Sequence, residues 1–356
     1  MNMQEADVLR TLNKGTFINQ RILAETSGHS LGVVNKSLKI LINDGYLDNN
    51  IRLTPLAKQI FEDCKPRNAI ILAAGFGMRM VPINMTTPKA LLKVNGERLI
   101  ERIILQLRAV GIKNITVVVG FMKESFEYLI DEYGVDLVVN SDYASHNNLH
   151  SLSLVANKLN NTYIVPSDLW CEKNPFQETE LYSWYMVSDL IDEESSVRVN
   201  RKMELVRVSE TNAGNSMVGI AYLLEPEAQL VREKLLAMDN EKHVDDFWEE
   251  TLYSKDRMIV QARIFKSSDV VEINTYEQLR ELDSDSSHLK SEAISTITQA
   301  LQCNKNDVVD INVLKKGMTN RSFLFSVKGE RYIMRIPGEG TAHLINRKKS
   351  RLAHST

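Results

Sequence analysis

The apolar positions of the chain change their period twice. Over residues 1–64 they recur at helical spacing: in ADVLRTLNK, in INQRILAETSG, which ends at Gly28, and in LGVVNKSLKILINDGY, which follows Ser30 and is stopped by Asp44-Gly45. YLDNNIRLT reads as a short hairpin with an Asn-Asn turn, and PLAKQIFEDC opens with a proline suited to a first helical turn. From Lys65-Pro66 the period changes. RNAIILAAG, NITVVVG, VDLVVN and TYIVPSD are short apolar runs of the kind that buried parallel strands require. Between them, LIERIILQLRAVG, MKESFEYLIDEYG and HSLSLVANKLN keep helical spacing. This alternation predicts an α/β fold, a doubly wound, mostly parallel sheet whose ligands sit beyond the strand C-terminal ends. From about Ser284 the chain turns polar, and then offers a helix in SEAISTITQALQ, a strand, a glycine turn at GMTN and the pair SFLFSVKG and ERYIMRIPG. The last residues, NRKKSRLAHST, are basic without an apolar pattern.

Composition narrows the class. The 356 residues are 43% hydrophobic and 25% charged, which excludes a disordered or fibrous chain and suits two or three domains. Cys64, Cys171 and Cys303 lie far apart, with no disulfide or zinc spacing. MNMQEADVLR carries no basic-then-apolar leader, and no apolar run reaches membrane-spanning length, so the expectation is a reduced, cytoplasmic protein with no membrane partner. The helices, small wing and closing helix of residues 1–64 resemble the winged helix-turn-helix domains of bacterial regulators. That segment has seven basic residues against seven acidic ones, and a neutral surface is a poor ligand for phosphates. Asn35, Lys36 and Lys39 on its third helix suit a DNA groove, but protein contact or dimerisation is the favoured role, and a homodimer is left open.

The strongest chemical signal follows the first strand, in ILAAGFGMRMVPINMTTPKALLKVNGERLI. Leu72, Ala73, Ala74, Gly75 and Gly77 make a small-residue turn in which backbone N–H groups can approach phosphates and a base. Arg79 and Lys89 add two cations suited to a triphosphate and to the charge developed in phosphoryl transfer, and Pro88 fixes the backbone before Lys89. No Gly-Lys-Ser/Thr follows the glycines, which excludes a P-loop, and no third glycine completes a dinucleotide fingerprint.

This segment resembles the signature of nucleotidyltransferases, Rossmann-like enzymes that join an NTP to a sugar phosphate or alcohol phosphate, and the likeness runs from about Asn68 to Leu282. Within that group SDYASHNNLHSLSLV, TYIVPSDLW, VDDFWEE and VVEINTYEQL resemble bacterial phosphocholine cytidylyltransferases. The resemblance implies that Asn147, Asn148 and Ser151 line the nucleotide or acceptor side, and that Asp168 binds Mg²⁺, the implied cofactor. A carboxylate at the end of a strand faces the ligand crevice, and hard oxygen donors suit Mg²⁺. A second metal contact is expected from VVEINT, where the family usually has an acidic residue and this chain has Asn274; Glu272 stands two positions earlier. The implied reaction moves CMP from CTP to phosphocholine and releases pyrophosphate, with Arg79, Lys89 and Asp168 as the catalytic set. A quaternary ammonium donates no hydrogen bonds, so its pocket calls for aromatic faces and carboxylates. Asp245, Phe247 and Trp248 are the main candidates, Trp170 a further one, with Trp184 and Tyr185 weaker. His146 and His150 share helical spacing but lack a third metal ligand and read as loop histidines.

VLKKGMTNRSFLFSVKGERYIMRIPGEGT resembles the start of choline kinases, without the downstream aspartates that such kinases require. The domain expectation is therefore a winged helix over 1–64, a nucleotidyltransferase domain over 65–283 and a truncated kinase-like fragment over 284–356. The alternatives are a sugar-1-phosphate or aminoalkylphosphonate nucleotidylyltransferase, which for a sugar would need polar side chains at the acceptor, and a winged-helix regulator that senses a nucleotide.

Overall fold

The computed structural model describes residues 1–15, 17–77, 87–193, 195–208, 213–284, 292–315, 320–337 and 353–354. Four helices open the chain, and each starts on a side chain able to accept from its free N–H groups. α1 (Met3–Lys14) has a capping box between Asn2 and Glu5; α2 (Gln20–Ser27) and α3 (Leu31–Asn43) are capped by Asn19 and Ser30. Gly28, at φ 73°, ends α2 in the left-handed conformation that suits glycine. A bridge between Leu47 and Leu53 closes the turn, with Asp48 accepting from the N–H groups of Asn50 and Arg52, before Thr54 and Pro55 start α4 (Pro55–Asp63).

The central part runs through β1 (Asn68–Ala73), a ribbon of β2 (Lys93–Val94) and β3 (Glu97–Arg98), α5 (Leu99–Ala109), β4 (Asn114–Val119), α6 (Tyr128–Tyr133), β5 (Asp136–Val139), α7 (Asn148–Ser153), β6 (Thr162–Pro166) and β7 (Leu169–Cys171). It continues with β8 (Trp184–Asp192), β9 (Val197–Val199), β10 (Glu204–Arg207), β11 (Gly214–Leu223), α8 (Glu225–Met238), β12 (Tyr253–Ser254), β13 (Arg257–Phe265), β14 (Val270–Glu272) and α9 (Tyr276–Leu282). Among the described residues one large sheet has the order β5-β4-β1-β6-β11-β8-β13-β10-β9. Its first four strands are parallel, and from β11 onward antiparallel pairs predominate, with β8 and β13 parallel.

Helices cover both faces. Ala69, Ile71 and Ala73 of β1 point into a cluster with Ile100, Ile103, Ile104 and Leu107 of α5. Ile70 points the other way, toward Leu149 and Leu152 of α7 and Ala228, Val231 and Leu235 of α8. Burial on both faces explains why β1 reads as one unbroken apolar run. The strands of the antiparallel half carry no such signature: β8 is buried through Ser188 and exposed beyond it. Two helices are shorter than their periodicity predicts. MKESFEYLIDEYG splits into a 3₁₀ turn, Lys123–Phe126, and α6, and HSLSLVANKLN holds α7 followed by a second such turn. At the end of α7, Ser153 Oγ donates to the His150 carbonyl at 2.9 Å and also to Asp239, local bonds that compete with the helical ladder.

The C-terminal part comprises α10 (Glu292–Leu301) and an antiparallel sheet of β15 (Val308–Lys315), β16 (Asn320–Val327), β17 (Glu330–Pro337) and β18 (Ala353–His354). The glycine turn at GMTN lies outside the described residues. Ile294, Ile297, Phe323, Phe325 and Met334 share one hydrophobic cluster with Leu92, Val94, Leu99, Ile273 and Tyr276 of the central part. No helix among the described residues is long and apolar enough to cross a membrane.

The N-terminal helices join the central part through a buried carboxylate. Glu180, with a side chain 0% exposed, accepts from Arg263 at 2.8 and 2.7 Å, from Tyr163 Oη at 2.9 Å and from Arg10 of α1 at 3.1 Å. Burial works against the Arg263 charge, but Glu180 outweighs it and holds that guanidinium above its ordinary pKa. Arg263 also lies 3.8 Å from the Trp184 ring centroid. Asp7 extends the seam, accepting from Arg10 at 2.7 Å and Tyr182 Oη at 3.2 Å. Removing Glu180 would strand the Arg263 guanidinium in low dielectric, whereas Arg10 would keep Asp7. Glu180→Ala is expected to destabilise the chain by about 3–5 kcal/mol in urea unfolding, and Arg10→Ala, at the rim of the seam, by clearly less. Equal costs would show that the seam, rather than Arg263, sets the stability.

Candidate active site

The loops after β1, β4 and β5 meet beyond the C-terminal ends of the parallel strands. β1 leads into Ala74, Gly75, Phe76 and Gly77, and Phe121 N–H donates to the Ala74 carbonyl at 3.2 Å. Gly77 has φ 64°, and a Cβ there would lie 3.3 Å from Lys89 Cβ and 3.4 Å from its Cδ. Glycine thus lets the Lys89 stem lie along the loop. Lys89 starts a single 3₁₀ turn, Lys89–Leu91, held down by the buried Ala90 and Leu91. Arg79, expected to work beside Lys89, lies outside the described residues.

The Lys89 ammonium is anchored at its far end. Nζ donates to Asp168 Oδ2 and, at 2.7 Å, to Asn274 Oδ1. Asp168 does not end β6, as expected, but stands in the link between β6 and β7. There its carbonyl accepts from Ile273 N–H at 3.0 Å, and β7 pairs with β14 in the register Leu169↔Glu272. That pairing brings Asn274 beside Asp168. Asp168 Oδ1 is buried with no hydrogen-bond partner among the described residues. An orphaned carboxylate oxygen, a second oxygen on the same group and an amide oxygen within reach of one ammonium form a hard donor set that fits Mg²⁺. Glu272, the other expected ligand, sits close enough to Tyr185 and Glu249 to raise the pKa of both.

The residues expected on the acceptor side come from α7, the residue before it and the segment after α8. Asn147 N–H donates to the Val244 carbonyl at 2.7 Å and its Nδ2 to the Asp245 carbonyl at 3.0 Å, while Asn148 Oδ1 accepts from Trp248 N–H at 2.8 Å. Ser151 is buried, and its Oγ accepts from Asn140 Nδ2 at 3.0 Å. Asn148 and Ser151, expected on the nucleotide, are therefore engaged in fastening these loops together. Of the expected acceptor residues, Asp245 and Phe247 are exposed, Phe247 at 57%, while Trp248 is buried against Tyr185 with ring centroids 6.2 Å apart. Behind them Tyr185 Oη donates to Glu249 Oε1 at 3.1 Å. Part of Glu249 reaches the surface, but its Oε2 is buried without a partner. Burial, with Glu250 and Glu272 nearby, pushes its carboxyl up to about 7.

Trp170 is placed differently from the expectation. It is 5% exposed in the cluster with Leu92, Leu99 and Ile273, with the Arg102 guanidinium 4.1 Å from its ring centroid and Nε1 donating to Glu172 at 3.1 Å. Those contacts account for its burial without any acceptor. Trp184 is likewise taken up by Arg263. Among the loop histidines, His150 Nδ1 lies 2.8 Å from Asp239 Oδ1, and no cluster of three His, Cys, Asp or Glu able to hold a metal occurs among the described residues.

Sequence reasoning missed an aromatic clasp. Phe76 meets Phe121 edge-on at 4.4 Å, and Phe121 lies 6.4 Å from Tyr143, so the glycine loop is pinned to the loops after β4 and β5. Gly120 makes room for it, since a Cβ there would come within 2.7 Å of Tyr143 Cβ. An aromatic residue directly after a strand-ending glycine was the available signal.

Comparison with known proteins agrees with this geometry. Residues 69–171 match the family model of MobA-like NTP transferase domains. The chain is 33% identical over 220 residues to a choline-phosphate cytidylyltransferase of Streptococcus pneumoniae, covering 60% of this chain and 96% of that protein. It is 36% identical over 201 residues to a 2-aminoethylphosphonate cytidylyltransferase of Lancefieldella rimae, covering 52% and 78%. Among solved structures, the CTP:phosphocholine cytidylyltransferase from Streptococcus pneumoniae superposes with a TM-score of 0.56 at 31% identity, covering 61% of this chain and 98% of that one. With a shared α/β fold and a relative matched along almost its whole length, the chain belongs to the nucleotidyltransferase family, as one of its cytidylyltransferases.

Proposed function

We propose that the chain transfers CMP from CTP to phosphocholine, giving CDP-choline and pyrophosphate. The observation that carries the acceptor assignment is the segment from Asp245 to Glu250. It sets an exposed phenyl ring beside carboxylates and is tied to Asn147 and Asn148, at the start of α7, by two hydrogen bonds. Aromatic faces and carboxylates suit a quaternary ammonium, which offers charge but no N–H donor. The relatives that act on phosphocholine and on 2-aminoethylphosphonate share a cationic acceptor; a neutral sugar phosphate would find few fixed donors here.

The chemistry needs no side-chain nucleophile, because the acceptor phosphate is itself anionic. Its oxygen attacks the α-phosphorus of CTP, a P–O bond forms, and the electron pair of the broken P–O bond leaves with pyrophosphate. The glycine loop, clasped by Phe76 and Phe121, offers backbone N–H groups to the nucleotide, and Lys89 neutralises phosphate charge. Asp168 and Asn274 would hold Mg²⁺, which would supply positive charge against the phosphates. The N-terminal helices, read as a winged helix, serve protein contact: α1 enters the Glu180 seam, and α3 leaves Lys36 and Lys39 exposed. The C-terminal sheet is read as the remnant of a choline kinase lobe.

Pyrophosphate release from each NTP with phosphocholine, 2-aminoethylphosphonate or glucose 1-phosphate tests the assignment. CTP with phosphocholine is expected to be the fastest pair; turnover of glucose 1-phosphate alone would overturn the acceptor reading. Asp168→Ala is expected to lower kcat by at least about a hundredfold while leaving the circular dichroism spectrum unchanged. Glu249 supplies a pH test. Its carboxyl titrates near 4.5 when unfolded and near 7 in the fold, so stability is lost as pH rises between those values and the cost is complete above 7. Glu249→Gln should therefore gain on the wild type between pH 5 and pH 8, by on the order of 2 kcal/mol in urea unfolding. A difference that does not change with pH would show that Glu249 is ionised throughout.

A further inference from the structure

Lys89 is doubly engaged. Its ammonium donates to Asp168 Oδ2 and to Asn274 Oδ1, the same oxygens a divalent cation would use. Asp168 Oδ1 is left buried, with no hydrogen-bond partner among the described residues. Among the described residues in contact there, one carboxylate faces one ammonium, with a neutral amide as the third member. A hydrated Mg²⁺ gives up water reluctantly and has little to gain from oxygens whose charge an ammonium already offsets. A triphosphate changes the balance, because it brings several negative charges and gives the ammonium somewhere else to go. Gly77 keeps that route open, since the Lys89 stem lies in contact distance of the loop that faces the phosphates and no Cβ stands between them.

We propose that Lys89 is a resident counter-cation that excludes free divalent metal from the nucleotide-free site, so that metal enters together with CTP while Lys89 swings from Asp168 and Asn274 to the triphosphate. This rests on the metal-dependent nucleotidyltransfer reading given above and adds an order of events to it. Asn274 is the residue that makes the exchange sharp: an aspartate in its place would leave a net negative charge with Lys89 present, and free metal would then be held.

The test measures Mn²⁺ binding to the full chain by electron paramagnetic resonance of free Mn²⁺, without turnover. The wild type is expected to bind Mn²⁺ at least about tenfold more tightly with CTP present than without it, beyond the Mn²⁺ that CTP alone chelates. Lys89→Met is expected to bind Mn²⁺ without nucleotide at least tenfold more tightly than the wild type. Asn274→Asp, which keeps the lysine and its packing, is expected to gain in the same direction and serves if Lys89→Met fails to fold. Equal nucleotide-free affinity in the wild type and both variants overturns the counter-cation role while leaving the metal reading intact. No Mn²⁺ binding even with CTP overturns the metal reading itself, and the proposal with it.

Discussion

Burial of β1 on both faces is the constraint from which the rest follows. A strand with helices above and below can present chemistry only at its ends, because its side chains are spent on the two cores. α5 covers one face and α7 and α8 the other, so the loop after Ala73 emerges at the rim where the parallel strands finish. Everything reactive then has to be brought there from elsewhere. The β7–β14 pair delivers Asp168 and Asn274, a 3₁₀ turn delivers Lys89, and α7 carries the loop that holds Phe247 and Trp248.

Local features of this arrangement were legible in the chain. Unbroken apolar runs gave the parallel strands, and Ser30 and Pro55 marked helix starts. The pairing of Lys89 with Asp168 brings together two residues that had each been singled out for charge and position. What was not legible depends on contacts between distant residues. Trp170 reads as a free aromatic until Arg102 is seen over its ring. The contacts that Asn148 makes with Trp248 and Ser151 with Asn140 give no sign of themselves in the sequence. Glu180 gives no signal at all in sequence, since a carboxylate looks the same whether it is solvated or holds two arginines and a tyrosine. The antiparallel strands escaped because each is buried over part of its length and exposed over the rest.

Charge compensation is handled differently at the two ends of the parallel sheet. At the Glu180 seam two guanidinium groups and a tyrosine hydroxyl converge on one carboxylate whose side chain is 0% exposed. At Lys89 the balance is struck with one oxygen of Asp168 left over. The first suits a joint between structural units and the second a place where charge has to move.

The shared cluster of the C-terminal part has a consequence for how the chain acquires its shape. Leu92 and Val94, just past Lys89, share a core with Phe323 and Phe325, and Ile273, next to Asn274, belongs to it too. On a ribosome the glycine loop and the parallel strands emerge long before β16 does. Until that sheet arrives, the segments on either side of the ammonium lack their cover, and the early chain has an apolar face open to aggregation. The cover of the segments on either side of the ammonium is thus the last to be synthesised, and it comes from residues outside the site.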